Sequence, residues 1–167
     1  MTHYQISVLN SRHNKAYFCC GIEPLNRYLL QQASQDIKRK VTITYVLSEP
    51  DSDKIAGYYT LSSSSIDLSA IPHTLSSKLP KYPTLPATLI GRLAIDKKFH
   101  KKGRWGVLLV DALKRSHEVS LQIASMAVIV DAKNDLAINF YKRFGFEQFT
   151  DTRDKLFLPM QTIAKMT

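Results

Sequence analysis

A chain of 167 residues, 44% of them hydrophobic, is long enough to bury a substantial core and fits one domain, 1–167. No apolar run reaches the length of a membrane span, and the opening MTHYQISVLNSRHNK carries neither a secretory signal nor an amphipathic transit segment, so the expectation is a cytoplasmic protein with no membrane attachment. A net charge of +9 favours polyanionic partners, whereas two adjacent cysteines and five scattered histidines offer neither a disulfide framework nor a metal-ligand pattern.

Residues 4–10 predict a short first strand. CGIEPLNRYLLQQASQDIKRK predicts a single helix. Pro24 suits its first turn, Leu25, Tyr28, Leu29 and Ile37 keep the helical period, and Lys38, Arg39 and Lys40 favour its C-terminal end. VTITYVL, residues 41–47, predicts a strand, Glu49–Lys54 a turn, and KIAGYYTLSSSSIDL the long return arm of a hairpin. Pro72, Pro80, Pro83 and Pro86 predict an irregular but packed excursion over 69–86. Leu89–Asp96 predicts a strand, and Arg104–Val119 a helix whose buried face holds Trp105, Leu108, Leu109, Ala112 and Leu113. LQIASMAVIV, residues 121–130, predicts a central buried strand. Asp131 or Asn134 can cap the next helix, which aligns Ala137, Phe140, Tyr141 and Phe144 and ends at Gly145. KLFLPMQTI, residues 155–163, predicts a final strand with Pro159 at an edge or bulge. The order is β-α-β-β-β-α-β-α-β, an α/β fold with a mixed central sheet.

The chemistry concentrates around FHKKGRWGVLLVDAL, residues 99–113. A strand, a glycine-containing loop and a helix N-terminus together form a possible anion cradle, with unpaired backbone N–H groups aimed at a phosphate. Lys101, Lys102 and Arg104 add positive charge there. The same residues also describe a lysine-rich solvated turn before a surface helix. The glycine spacing excludes a P-loop and a dinucleotide fingerprint. Arg92 stands in a strand of Leu, Ile and Ala and needs a partner: an acid such as Asp96 or Asp111, or a substrate.

GRLAID, GRWGVLLVDAL, VDAKNDLAINFYKRFGF and KLFLPMQTI occur in this order, and the whole resembles the GCN5-related N-acetyltransferase (GNAT) fold. Together with FCCGIEPLNRYL and LSSKLPKYPTLPATLIGRLAID, the motifs resemble the acetyltransferase toxins of bacterial type II toxin–antitoxin modules over nearly the whole chain. The resemblance implies that acetyl-coenzyme A lies against the strand around Arg92–Ile95. Its pantetheine would pair with the backbone of Leu93, Ala94 and Ile95. Its pyrophosphate would sit on the loop His100, Lys101, Lys102, Gly103, Arg104, Trp105 and Gly106. The family pattern there is Gln or Arg, two variable residues, Gly, one variable residue, then Gly or Ala. His100 and Gly103 keep its character, and Trp105 departs from it, either obstructing the cradle or turning away to pack.

By the same resemblance, Asn134, Ala137 and Phe140 line the pantetheine arm, although Asn134 also suits a helix cap and the other two suit a core. Tyr141 would be the catalytic acid for the departing thiolate; it also falls on the helix's apolar face. Lys38, Arg39, Arg92, Lys97 and Lys98 would bind the substrate. The implied function is acetylation of the α-amino group of an aminoacyl-tRNA, which blocks translation. The alternatives are transfer to a protein, peptide or small amine, or a catalytically weakened protein that binds the donor or a partner. Implied partners are a cognate DNA-binding antitoxin of the ribbon-helix-helix type, aminoacyl-tRNA and a second copy of the chain.

Overall fold

The computed structural model describes residues 4–166; the side chains of Lys101 and Lys102 lie outside its described part. Its strands are β1 (Gln5–Val8), β2 (Ile43–Ser48), β3 (Gly57–Asp67), β4 (Thr84–Ile95), β5 (Ala127–Asp131), β6 (Glu147–Gln148) and β7 (Lys155–Pro159). Its helices are α1 (Glu23–Gln31), α2 (Ala33–Lys38), α3 (His73–Ser76), α4 (Arg104–Ser120), α5 (Asp135–Arg143) and α6 (Met160–Met166). The strand order is β1-β2-β3-β4-β5-β7-β6. The β4–β5 pair is parallel, while β1–β2, β2–β3, β5–β7 and β6–β7 are antiparallel. The expected α/β class with a mixed sheet and flanking helices is therefore found. No described helix is long and apolar enough to cross a membrane.

The chain divides into two compact units, Met1–Ser62 with Gly91–Ala112 and Ser63–Ile90 with Leu113–Thr167. The first has a core of Phe18, Tyr28, Leu29, Ala33, Val46, Ile55, Tyr58 and Ala94. Gly57 permits a close approach of strands there: a Cβ would lie 2.7 Å from Ile95 Cδ1 and 2.9 Å from the Ala94 carbonyl oxygen. Both are nearer than a real Cβ tolerates, so any side chain would push β3 off this part of β4. The second unit packs Ile66, Ile71, Ala87, Ile129, Phe149 and Phe157 together.

The predicted first helix is broken. Gln32 leaves the helical region at φ −121°, and α2 restarts at Ala33. Leu29 and Ala33, on either side of the break, are both fully buried. The end of α2 is closed by Lys40 at φ 61°, which lets the Val41 N–H donate to the Asp36 carbonyl. The first strand is shorter than the predicted 4–10, and β4 begins well before Leu89. Pro86 sits inside β4 at no cost to that ladder, because its carbonyl accepts from the Met126 N–H and no donor is asked of it.

LQIASMAVIV is strand only from Ala127 onward. The N–H groups of Leu121, Gln122 and Ile123 donate to the carbonyls of Glu118 and Val119, so the end of α4 captures them. Leu121 and Ile123 are consequently exposed, at 76% and 75%. KLFLPMQTI is also not one strand: Pro159 closes β7 and α6 follows, with Met160 and Ile163 on its buried side. That three-residue spacing is a helical period.

Three phenols are held neutral. Burial, reinforced by the hydrogen bond to Asp36, pushes Tyr28 up to about 12, and burial also raises Tyr58 and Tyr141 well above the ordinary tyrosine value. An unfolded tyrosine ionises near pH 10. The stability these groups contribute is therefore complete below about pH 10 and is lost as pH rises through their folded values. The urea midpoint should fall above about pH 10, and less steeply in Tyr58→Phe. An identical slope in the variant would contradict this origin.

Candidate functional site

The site is built outward from β4. Its described pairing with β5 joins Thr88–Ile90 to Val128–Val130, and the strand continues through Gly91–Ile95. In that continuation Ala94 and Ile95 are fully buried, whereas Arg92 and Leu93 are half-buried.

Asp96 ends the strand and anchors the next turn. It is only 6% exposed. Its Oδ2 accepts from the Cys19 N–H at 3.0 Å, and its Oδ1 accepts from the Lys98 N–H at 3.0 Å. The Lys97 N–H returns to the Cys19 carbonyl at 2.9 Å. One carboxylate thus caps the 3-10 helix Lys97–Lys102 and ties it to the segment before α1. Gly103 then turns left-handed at φ 69°, and α4 begins.

This loop has the features of an anion cradle. A Cβ placed on Gly103 would meet nothing within 4 Å, so the turn faces open space. The first turn of α4 contains no acidic residue, and the helix runs to Ser120. An aligned helix of that length presents partial positive charge at its N-terminus. A pyrophosphate fits such donors.

The loop's side chains are more engaged than the sequence indicates. His100 Nε2 donates to the Ile95 carbonyl at 2.6 Å, which sets its tautomer, and the ring lies 5.8 Å from that of Trp105. The half-buried indole therefore turns back onto its own loop. The Arg104 guanidinium sits 4.1 Å over the Tyr4 ring and donates to the Tyr4 hydroxyl at 2.6 Å. Trp105→Ala should cost about 1–2 kcal/mol of stability from lost packing and leave donor affinity within about threefold. Tenfold tighter binding by calorimetry would instead make the indole an obstruction.

The remaining candidates lie in the second unit. Asn134 Oδ1 accepts from the Ala137 N–H at 2.9 Å, so Asn134 is the cap of α5 and Asp131 is not. Ala137 and Phe140 are half-buried. Tyr141 is 6% exposed, with the rings of Phe140 and Phe146 each 5.3 Å away. Desolvation, with a smaller contribution from the negative charge of Asp131, raises its phenol above the ordinary value. Among the described residues no hydrogen bond uses its hydroxyl.

Leu93–Ile95, the loop His100–Gly106 and the cations Lys38, Arg39, Arg92, Lys97 and Lys98 all belong to the first unit. Lys38, Arg39, Lys97 and Lys98 are exposed. Neither acid considered for Arg92 is its partner: Asp96 serves backbone N–H groups, and Asp111 accepts from the Tyr59 hydroxyl at 2.5 Å. The guanidinium carbon of Arg92 instead lies 3.4 Å from the centroid of the Tyr28 ring. Sequence reasoning missed Tyr28 as its partner, and Asp36 as the acid bonded to Tyr28. Asp36 in fact accepts from the Tyr28 hydroxyl at 2.7 Å, across the helix break.

The family model described as FR47-like protein matches residues 81–154. Over 163 residues the chain is 28% identical to a Sinorhizobium fredii protein named probable toxin TacT, covering 93% of this chain and 90% of that one. Among solved structures, a tyrosine-to-phenylalanine mutant of KacT matches with a TM-score of 0.92 at 28% identity, covering 98% of this chain and 99% of the other. AtaT complexed with acetyl-methionyl-tRNAfMet gives the same values. Other structures of these proteins match as well: AtaTR bound with acetyl-coenzyme A, at a TM-score of 0.85 and 28% identity, and the KacTA–DNA complex, at 0.82 and 26%. The fold and these matches together define a GNAT-fold protein. Within that class, this chain closely matches the AtaT, KacT and TacT acetyltransferase toxins of toxin–antitoxin systems.

Proposed function

We propose that this chain is an acetyl-coenzyme A-dependent N-acetyltransferase toxin that acetylates the α-amino group of an aminoacyl-tRNA and so blocks translation. The observation that carries the reading is the near-complete structural match to AtaT in complex with acetyl-methionyl-tRNAfMet, an aminoacyl-tRNA whose amino acid bears an acetyl group. A blocked α-amine cannot attack in peptide-bond formation.

Acetyl-coenzyme A supplies an activated thioester when bound. The loop His100–Gly106 would hold its pyrophosphate through backbone N–H groups around Gly103 and Gly106, Lys101, Lys102 and Arg104 would add charge, and Trp105 closes the loop against His100. Leu93, Ala94 and Ile95 would pair with the pantetheine arm through their backbone, and the Ile95 carbonyl also accepts from His100. Asn134 retains its amide nitrogen for the arm while its oxygen caps α5, and Ala137 and Phe140 pack along the arm.

Tyr141 would be the proton donor for the coenzyme's departing sulfur. Its raised pKa keeps it protonated at every working pH. Burial that disfavours a phenolate also disfavours a thiolate in the same surroundings, so the raised phenol can still serve as the proton donor. The incoming α-amine must be neutral to attack. Lys38, Arg39, Arg92, Lys97 and Lys98 hold RNA phosphates; such contacts position the acceptor without reading its sequence.

The partners of this reading are a cognate ribbon-helix-helix antitoxin that binds DNA and masks the basic toxin, and a second copy of the chain. The working unit is one domain, 1–167, in the cytoplasm. Thiol release from acetyl-coenzyme A should appear when a charged tRNA pool is added, and not when the same pool is deacylated. Equal release with deacylated RNA, or with free amines at the same concentration, would overturn the proposed acceptor.

A further inference from the structure

Arg92 is a half-buried cation whose face is covered and whose edge is not. Its guanidinium carbon lies 3.4 Å from the Tyr28 ring centroid, so the aromatic ring supports the flat face. Among the described residues no hydrogen bond or ion pair uses its N–H edge. The Tyr28 hydroxyl leads from that ring to Asp36, and a guanidinium that meets a carboxylate ordinarily closes on it with two parallel hydrogen bonds.

Here the acid is diverted. Asp36 feels the charge of Arg92, yet its Oδ2 accepts from the Tyr28 hydroxyl at 2.7 Å and its Oδ1 from Gln32 Nε2 at 2.9 Å. Tyr28 therefore acts twice. Its ring carries the guanidinium, and its hydroxyl occupies the carboxylate that would otherwise neutralise it. Arg39 also acts on Asp36, from the exposed end of α2, with Lys38 beside it. The result is a rigid fork followed by exposed cations within one compact unit.

We propose that Arg92 is a phosphodiester-binding fork, held open by Tyr28 and Asp36 as positioning residues, and that it grips the backbone of the RNA acceptor. The fork rests on the proposed aminoacyl-tRNA acceptor. A planar fork matches two oxygens of one phosphate, and a chain of phosphates can continue from Arg92 to Arg39 and Lys38. The net charge of +9 favours a polyanion over a single carboxylate ligand.

The test is binding of purified uncharged tRNA across a salt series, with circular dichroism to confirm folding. Arg92→Ala should weaken binding by about tenfold and lower the salt slope by about one phosphate contact. Arg92→Lys keeps the charge but loses the fork, and should fall between the two. Tyr28→Phe keeps the ring but frees Asp36 to close on Arg92, and should weaken binding by roughly five- to tenfold with Arg92 intact. In an Asp36→Asn background, the same Tyr28→Phe change should cost less than about twofold.

An equal cost in both backgrounds would reduce Tyr28 to packing and overturn the positioning claim. Unchanged affinity and slope in Arg92→Ala would overturn the fork, even though the wild type binds RNA. So would loss of binding to an acidic protein partner with RNA binding intact. No tRNA binding by the wild type would remove the RNA reading and the fork together. Should Tyr28→Phe fail to fold, the Arg92→Ala and Arg92→Lys pair decides the fork alone.

Discussion

Tyr141→Phe should abolish acetyl transfer in a protein that remains folded and still binds the donor. The substitution removes one hydroxyl and leaves the ring between Phe140 and Phe146. Losing a positioned acid typically costs about 10²–10⁴-fold in rate. The loss should appear in kcat at saturating donor, with little change in the donor's KM, because the phenolic proton is needed only as the sulfur departs. The wild-type pH profile carries the same signature. Activity should rise as the acceptor amine loses its proton near pH 8. It should not fall again below about pH 10, because burial holds Tyr141 above its ordinary value. Turnover equal to wild type in Tyr141→Phe would exclude it as the acid.

The largest effect on stability is expected at Asp96. Alanine there strands the N–H groups of Cys19 and Lys98, both of which now donate to a buried carboxylate. Two charge-assisted hydrogen bonds, one of them a cap, are worth about 2–4 kcal/mol together. The loop should loosen as well, so donor affinity should drop about tenfold or more. Asp96→Asn keeps one acceptor oxygen and should recover about half the stability. Urea unfolding and calorimetry measure both quantities. A change under about 0.5 kcal/mol in Asp96→Ala would show that the tie between the loop and Cys19 is incidental.

Elements governed by a local period were legible. Leu108, Leu109, Ala112 and Leu113 form the buried face of α4 as their spacing predicts. Asn134 caps α5, and Gly145, at φ 98°, ends its turn. Two of the failures share a cause: a residue's local preference was overruled by what its backbone groups found elsewhere. Pro86 looks like a breaker, but its carbonyl is wanted by Met126. Leu121 and Ile123 look like core, but the end of α4 takes their N–H groups. Gln32 interrupts a helix whose side-chain period is unbroken, since Leu29 and Ala33 are still buried.

The site divides in the same way. The glycine turn before α4 could be read from residue types and spacing, whereas Tyr141 was singled out by the family resemblance, its spacing alone marking the apolar face of α5. The ties that hold them could not. Asp96 reaches Cys19 across 77 positions, and nothing in LIGRLAID announces that partner. Arg92 visibly needed a partner, and the nearby acids were the natural candidates. Its actual support, the Tyr28 ring, comes from another element, and its acid is withheld by a hydroxyl. Such arrangements depend on which elements fold together, and a period along one element carries no record of them.

The central claim is that the acetyl group goes to the α-amine of an aminoacyl-tRNA. Mass spectrometry of a charged tRNA pool, after reaction with isotopically labelled acetyl-coenzyme A, tests this most directly. The account predicts label on the amino acid of one or a few aminoacyl esters, none on deacylated RNA, and none with Tyr141→Phe. Label found only on protein lysines, with every aminoacyl ester unmodified, would contradict it.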